Sequence, residues 1–171
     1  NTDTTVFISD ADQYVFGQGT HYEIYKKLGS HFCKKGKEDG VFFAVWAPNA
    51  KEVYVIGEFN GWDEGAAPME RLGEGGIFAT FIKDVKEGQM YKYMLVLPDG
   101  RRLYKADPFA NYAEMRPGTA SRIYDLDHFK WTDKKWIAER DKKDMNKEPM
   151  SIYECHIGSW MKHPDGTEDG F

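Results

Sequence analysis

Apolar and polar positions alternate in short runs along most of this chain, and glycine- or proline-bearing breaks recur about every ten residues. Val41–Ala47 (VFFAVWA) is apolar on both faces and ends at Pro48-Asn49. In Val53–Phe59 (VYVIGEF), Val53, Val55, Gly57 and Phe59 share one face before Asn60-Gly61 turns the chain. Ile77–Lys83 and Met90–Leu97 repeat the pattern. Pro98-Asp99-Gly100 is a hairpin signal leading into Arg101–Lys105, and Ala120–Leu126 follows. At least six short strands without interleaved helices predict a mainly β chain folded as an antiparallel sandwich. Phe43, Trp46 and Phe59 fall on its core positions.

The ends of the chain differ from this ladder. Residues 1–20 show no clear period. Thr20 has capping-box spacing to Glu23, and Tyr22, Tyr25 and Leu28 recur every three residues until Gly29, which predicts a short helix over 21–28. Lys34–Gly40 reads as a turn. From Lys130 to Glu148 there are twelve charged residues of both signs, anchored by Trp131 and Trp136, the composition of a solvated helix or linker. Met150–Ile157 (MSIYECHI) then alternates as a strand with nothing after it to pack on, like the opening of a second domain. The expected organisation is a lead-in segment over 1–33, a β-sandwich over 34–127, a charged linker over 128–149 and the start of a further domain over 150–171.

Composition narrows the function. Leucine is scarce, with six in 171 residues, but Phe 11, Tyr 10 and Trp 5 supply the apolar surface a core needs. A net charge of −5 and a pI near 5.6 argue against a nucleic-acid partner. No apolar run is long enough for a membrane span, and Asn1–Ser9 lacks the pattern of a secretory leader. Two cysteines, Cys33 and Cys155, make no disulfide scaffold or metal spacing and suit a reducing, cytoplasmic setting.

The candidates for chemistry are few. Gly73–Gly76 leads into a strand rather than a helix, so it is a hairpin turn and not a phosphate loop. His156 and His163 lack ligand partners at metal spacing, and neither a nucleophile elbow nor a fixed carboxylate pair is present, so no metal, cofactor or catalytic set is expected. Trp62 ends the Gly57–Trp62 stretch (GEFNGW), where its ring either caps the core or stacks on the apolar face of a sugar. Lys92, the only charge in its strand, projects to the solvent face of the sheet. A neutral glucan suits the acidic balance.

These residues carry a resemblance. FAVWAPNA (Phe43–Ala50), GEFNGW, YKY (Tyr91–Tyr93), KADPFA (Lys105–Ala110) and RPGTAS (Arg116–Ser121) together resemble the isoamylase-type N-terminal carbohydrate-binding module, an immunoglobulin-like β-sandwich. YVFGQGTHYEIYKKLGSH (Tyr14–His31) resembles the lead-in of glycogen branching enzymes, and SIYECHIGSW (Ser151–Trp160) the first strand of their catalytic (β/α)8 barrel. The resemblance implies a cytoplasmic enzyme that moves α-1,4-glucan segments onto 6-hydroxyls, with the catalytic carboxylates on later barrel strands. It implies glycogen, starch or malto-oligosaccharide as partner, besides the chain's own barrel. The glucan contacts carried over are Trp62, Lys92, Tyr104 and Thr119, with Asn60 and Ser121 as additions. A stand-alone glycogen-binding module and the accessory module of a debranching hydrolase are the alternatives.

Overall fold

The computed structural model describes residues 7–144 and 146–156, in two compact units that meet between Phe129 and Lys130. In the first unit nine strands form two antiparallel sheets. The first sheet has the order β1 (Gly29–Lys35), β2 (Glu38–Trp46), β5 (Ile77–Lys83), β4 (Glu70–Leu72). The second runs β3 (Glu52–Gly57), β6 (Met90–Val96), β9 (Ser121–Arg122), β8 (Tyr112–Ala113), and β7 (Arg102–Lys105) pairs with the remaining length of β6.

Alternation within the strands assigns each side chain to a face. Val41, Phe43 and Val45 of β2 meet Val53, Val55, Tyr91 and Tyr93 of the second sheet, with Phe78 and Ile123 filling in. Phe43 packs edge-on to Tyr91 at 5.1 Å, and Phe59 lies 5.7 Å from Phe43. The other face of β2 is buried too. Phe42 and Ala44, with Ile77 and Ala79 of β5, are covered by Leu28 and by Phe7, Ile8, Phe16, Ile24 and Phe109. The N-terminal segment therefore roofs the outer face of the first sheet, which is why VFFAVWA carries no polar face.

That roof is built differently from the sequence expectation. The helix is α1 (Asp10–Gly17), and the stretch expected to be helical holds only a 3-10 turn at Ile24–Lys26. Ser9 and Asp12 cap α1 reciprocally: Asp12 N–H donates to Ser9 Oγ (3.2 Å) and Ser9 N–H to Asp12 Oδ2 (2.8 Å). Partial burial pushes the Asp12 carboxyl up, but hydrogen bonds from Ser9, His21 and Lys27 outweigh it and hold the group well below the usual range. Thr20 opens no helix; its N–H (3.2 Å) and hydroxyl (3.5 Å) donate to Val15 O at the end of α1, and Tyr22 and Tyr25 are 86% and 55% exposed. Lys34–Gly40 is not one turn but a hairpin, with Lys35 opposite Glu38 around Gly36 in the left-handed region. Trp46, expected in the core, is half exposed at the end of β2. Its indole N–H donates to Gly75 O (2.9 Å) and its ring meets the edge of Phe16.

One polar group lies deep between the sheets. Asp107 is 6% exposed, and its carboxylate accepts from Tyr91 Oη (2.6 Å), Tyr93 Oη (3.1 Å) and Phe109 N–H (2.8 Å). Its own N–H donates to Ser121 Oγ (2.9 Å), and Tyr93 Oη also lies 3.4 Å from Ala44 O in the first sheet. Burial pushes this carboxyl above the ordinary aspartate range, while the two phenols and the Phe109 amide pull it back.

In the second unit, α2 (Lys134–Arg140) carries Trp136 under the Arg140 guanidinium at 5.3 Å. The strand expected over 150–157 does not form in residues 150–156, where Met150, Ile152 and Tyr153 are exposed; its remainder lies outside the described residues.

Asp107→Ala leaves two buried phenols without their acceptor, so urea unfolding of the variant is expected to fall by about 3 kcal/mol. A loss under about 1 kcal/mol would mean that the phenols find other partners.

Candidate functional site

The site is assembled on the outer face of the second sheet. Because Tyr91 and Tyr93 point into the core, Met90, Lys92 and Met94 of β6 point outward. Pairing brings Ile56 of β3 opposite Lys92, and Tyr104 of β7 opposite Met94, onto the same face. Ile56 and Met94 are nonetheless only 4% and 2% exposed. The segment after β3 accounts for this. It leaves β3, reaches β7 at Glu64, and returns to the β3 edge where Val55 N–H bonds to Ala67 O. Glu64 accepts hydrogen bonds from the Tyr104 hydroxyl and the Arg102 guanidinium, so the turn is clamped across β6 and shields the apolar side chains beneath it.

Trp62 stands on this turn. Glu58–Asn60 form a single 3-10 turn, after which Gly61 and Trp62 both adopt left-handed conformations, with φ of 63° and 61°. Glycine enters that region freely; a bulky residue does so at a cost of about 1 kcal/mol. Three hydrogen bonds hold the conformation. Trp62 N–H donates to Gly57 O (2.9 Å), Gly57 N–H to Asn60 Oδ1 (2.9 Å), and Asn60 Nδ2 to Val55 O (2.9 Å). Glu58 ties the turn to β6 through Met90 N–H (2.8 Å). Gly57 cannot carry a side chain here, since a Cβ would lie 2.5 Å from Met90 O. Trp62 is left 38% exposed.

On the outer face of β6, Lys92 Nζ donates to Thr119 Oγ1 at 2.7 Å. The ammonium keeps further donors, and the hydroxyl its own proton and a second lone pair, so the pair offers donor and acceptor chemistry at a partly apolar surface. Tyr104 is 48% exposed, with its hydroxyl turned to Glu64. That carboxylate raises the Tyr104 phenol above its ordinary range, mainly through the hydrogen bond itself. The surface is an open shelf. A cleft of about 670 Å³ bordered by Pro48, Lys51, Arg71, Leu97 and Arg101 involves none of these residues.

Of the six positions singled out in the sequence, four present surface here: Trp62, Lys92, Thr119 and Tyr104. Asn60 is half-buried and spends its amide on the turn. Ser121 is 1% exposed, and its hydroxyl accepts from the Asp107 amide beneath the sheet. The Glu64 clamp was missed, although Arg102 and Tyr104, two apart in one strand, signalled a shared face. Among the described residues no group of three or more His, Cys, Asp or Glu side chains could hold a metal ion, and no helix is long and apolar enough to cross a membrane.

A two-sheet sandwich with an aromatic shelf on one outer face is the layout of a carbohydrate-binding module. Residues 27–110 match the family model of carbohydrate-binding module 48, the isoamylase N-terminal domain. The chain's similarity runs past the module at both ends. It is 61% identical over 166 residues to the 1,4-alpha-glucan branching enzyme GlgB of Butyrivibrio fibrisolvens, which covers 97% of this chain and 26% of that protein. The GlgB of Halothermothrix orenii is 47% identical over 158 residues, covering 92% and 25%. That of Protochlamydia amoebophila is 42% identical over 159 residues, covering 93% and 22%. The chain thus spans about a quarter of the length of these relatives.

The left-handed turn makes a stability prediction. Trp62→Gly and Trp62→Ala remove the same ring contacts, but only glycine relieves the strained backbone. The glycine variant is expected to be more stable than the alanine variant by about 1 kcal/mol in urea unfolding. Equal stabilities would mean that Trp62 is not left-handed in solution.

Proposed function

We propose that this chain is the N-terminal, glucan-holding region of a cytoplasmic branching enzyme of glycogen biosynthesis. The observation that carries the reading is the exposed Trp62, held at an energetic cost in a left-handed turn that is bonded to β6, the strand of Lys92. A ring held out in this way serves to stack on a pyranose face, while the ammonium and hydroxyl take the sugar's hydroxyls. Tyr104 borders the shelf; Asn60 and Ser121 act beneath it, by fixing the turn and the sheet.

In this reading the whole protein cuts an α-1,4-glucan through a covalent glycosyl-enzyme and passes the segment to a 6-hydroxyl, the retaining two-carboxylate chemistry with a sugar in place of water. The carboxylates belong to a catalytic barrel beyond this module, and the module's part is to hold the polymer near it.

Magnitudes say how. Stacking that covers about 80 Å² of sugar contributes roughly 2 kcal/mol, whereas association costs at least about 4 kcal/mol. One ring cannot hold one sugar, so several contacts along a chain and repeated sites on the polymer are required.

In a native gel containing amylopectin the chain should run more slowly than in a plain gel, and Trp62→Ala should abolish most of that retardation. Equal mobility of the unsubstituted chain in the two gels would overturn the glucan reading.

A further inference from the structure

The register of the second sheet extends the shelf beyond the residues named so far. Gly57, Tyr91, Ser121 and Ala113 face one another in a row across β3, β6, β9 and β8. In the adjacent row Met90, Arg122 and Tyr112 are paired in the same way, and because Met90 and Lys92 share the outer face, Arg122 and Tyr112 share it too. Trp62 is anchored through its N–H to Gly57 of β3, one edge strand of this row, and Tyr112 lies in β8, the other. Three strand spacings separate those edges, or about 14 Å.

Tyr112 is arranged as a second platform. Its ring is 52% exposed. The buried side is braced by Tyr124, whose ring lies 5.4 Å away and whose hydroxyl meets His128 Nε2 at 3.2 Å. The Arg122 guanidinium lies 6.0 Å from the Tyr112 ring, a cation–π distance. Arg122 is partly exposed, and a guanidinium over a ring face keeps its N–H donors at the edge for a neutral ligand's hydroxyls.

We propose that Tyr112 and Arg122 form a distal subsite of the same shelf, so that the module selects malto-oligosaccharides long enough to reach from Trp62 across the Lys92–Thr119 pair to Tyr112. The inference rests on the glucan reading above and adds a length requirement to it. Maltose is too short to touch both rings; maltoheptaose is not.

Titration calorimetry of the whole chain with maltose and with maltoheptaose separates the two ideas. Maltoheptaose should bind more tightly, Tyr112→Ala should weaken it about tenfold while leaving maltose unchanged, and Tyr112→Phe should retain the ring and the affinity. Equal losses for both sugars, or no loss for maltoheptaose, overturns the distal subsite. If Trp62→Ala loses both sugars while Tyr112→Ala loses neither, the subsite fails and the glucan reading stands; if the unsubstituted chain binds neither sugar, the subsite fails and the amylopectin gel decides the glucan reading. A measurement without substitution covers the case of a variant that does not fold. The Arg122 side-chain Nε–H resonance should shift with maltoheptaose and not with maltose, and an unmoved resonance with both overturns the proposal.

Discussion

The carboxylate of Asp107 is the constraint on which the rest of this structure depends. It is taken out of water at a cost that its raised proton affinity reflects, and three donors offset that cost. Two of the donors, Tyr91 and Tyr93, are the inward residues of the central strand of the second sheet. Phe109, the third, packs its ring into the N-terminal roof of the first sheet. One buried group therefore joins both sheets and the roof. It also fixes which residues of β6 face water, since a slip of one position would turn Tyr91 and Tyr93 outward and Lys92 inward. The shelf exists because the knot behind it holds the register.

Much of the sandwich was legible in the sequence because its strands are long and strongly patterned. Ile77–Lys83 begins and ends where its apolar run does. Val41–Ala47 gave its strand and, through its two apolar faces, a hint that something covers the outside. The short or charged strands were not legible: β1 ends in Lys34 and Lys35 at an edge, β4 holds three residues, and β8 holds two. Helix α1 escaped notice because its cap uses aspartate where the familiar signature has glutamate or glutamine, and because none of its residues is fully buried.

The shelf was legible in part, and the division has a physical cause. Alternation alone puts Lys92 outside, and a turn residue such as Trp62 was free to be exposed. The fate of Asn60 and Ser121 depended on hydrogen bonds to backbone groups that no pattern of side chains records. Trp46 misled for a related reason. It continues the outer face of β2 to the margin of the roof, where Phe16 and Gly75 meet it and half of it stays exposed. Glu64 was invisible because its partners lie 38 and 40 residues away, across a sheet whose order must be known first.

In the proposed reading, shelf and fold make a module that contributes position rather than chemistry. A shallow open surface holds a sugar weakly, and weak contacts repeated on a polymer let a chain remain near an enzyme without being trapped. The most direct test of this account is a crystal structure of the chain soaked with maltoheptaose. The account predicts sugar density over the outer face of the second sheet, stacked on Trp62 and within hydrogen-bond distance of Lys92. Density bound only elsewhere on the module, with Trp62 and Lys92 untouched, would contradict it.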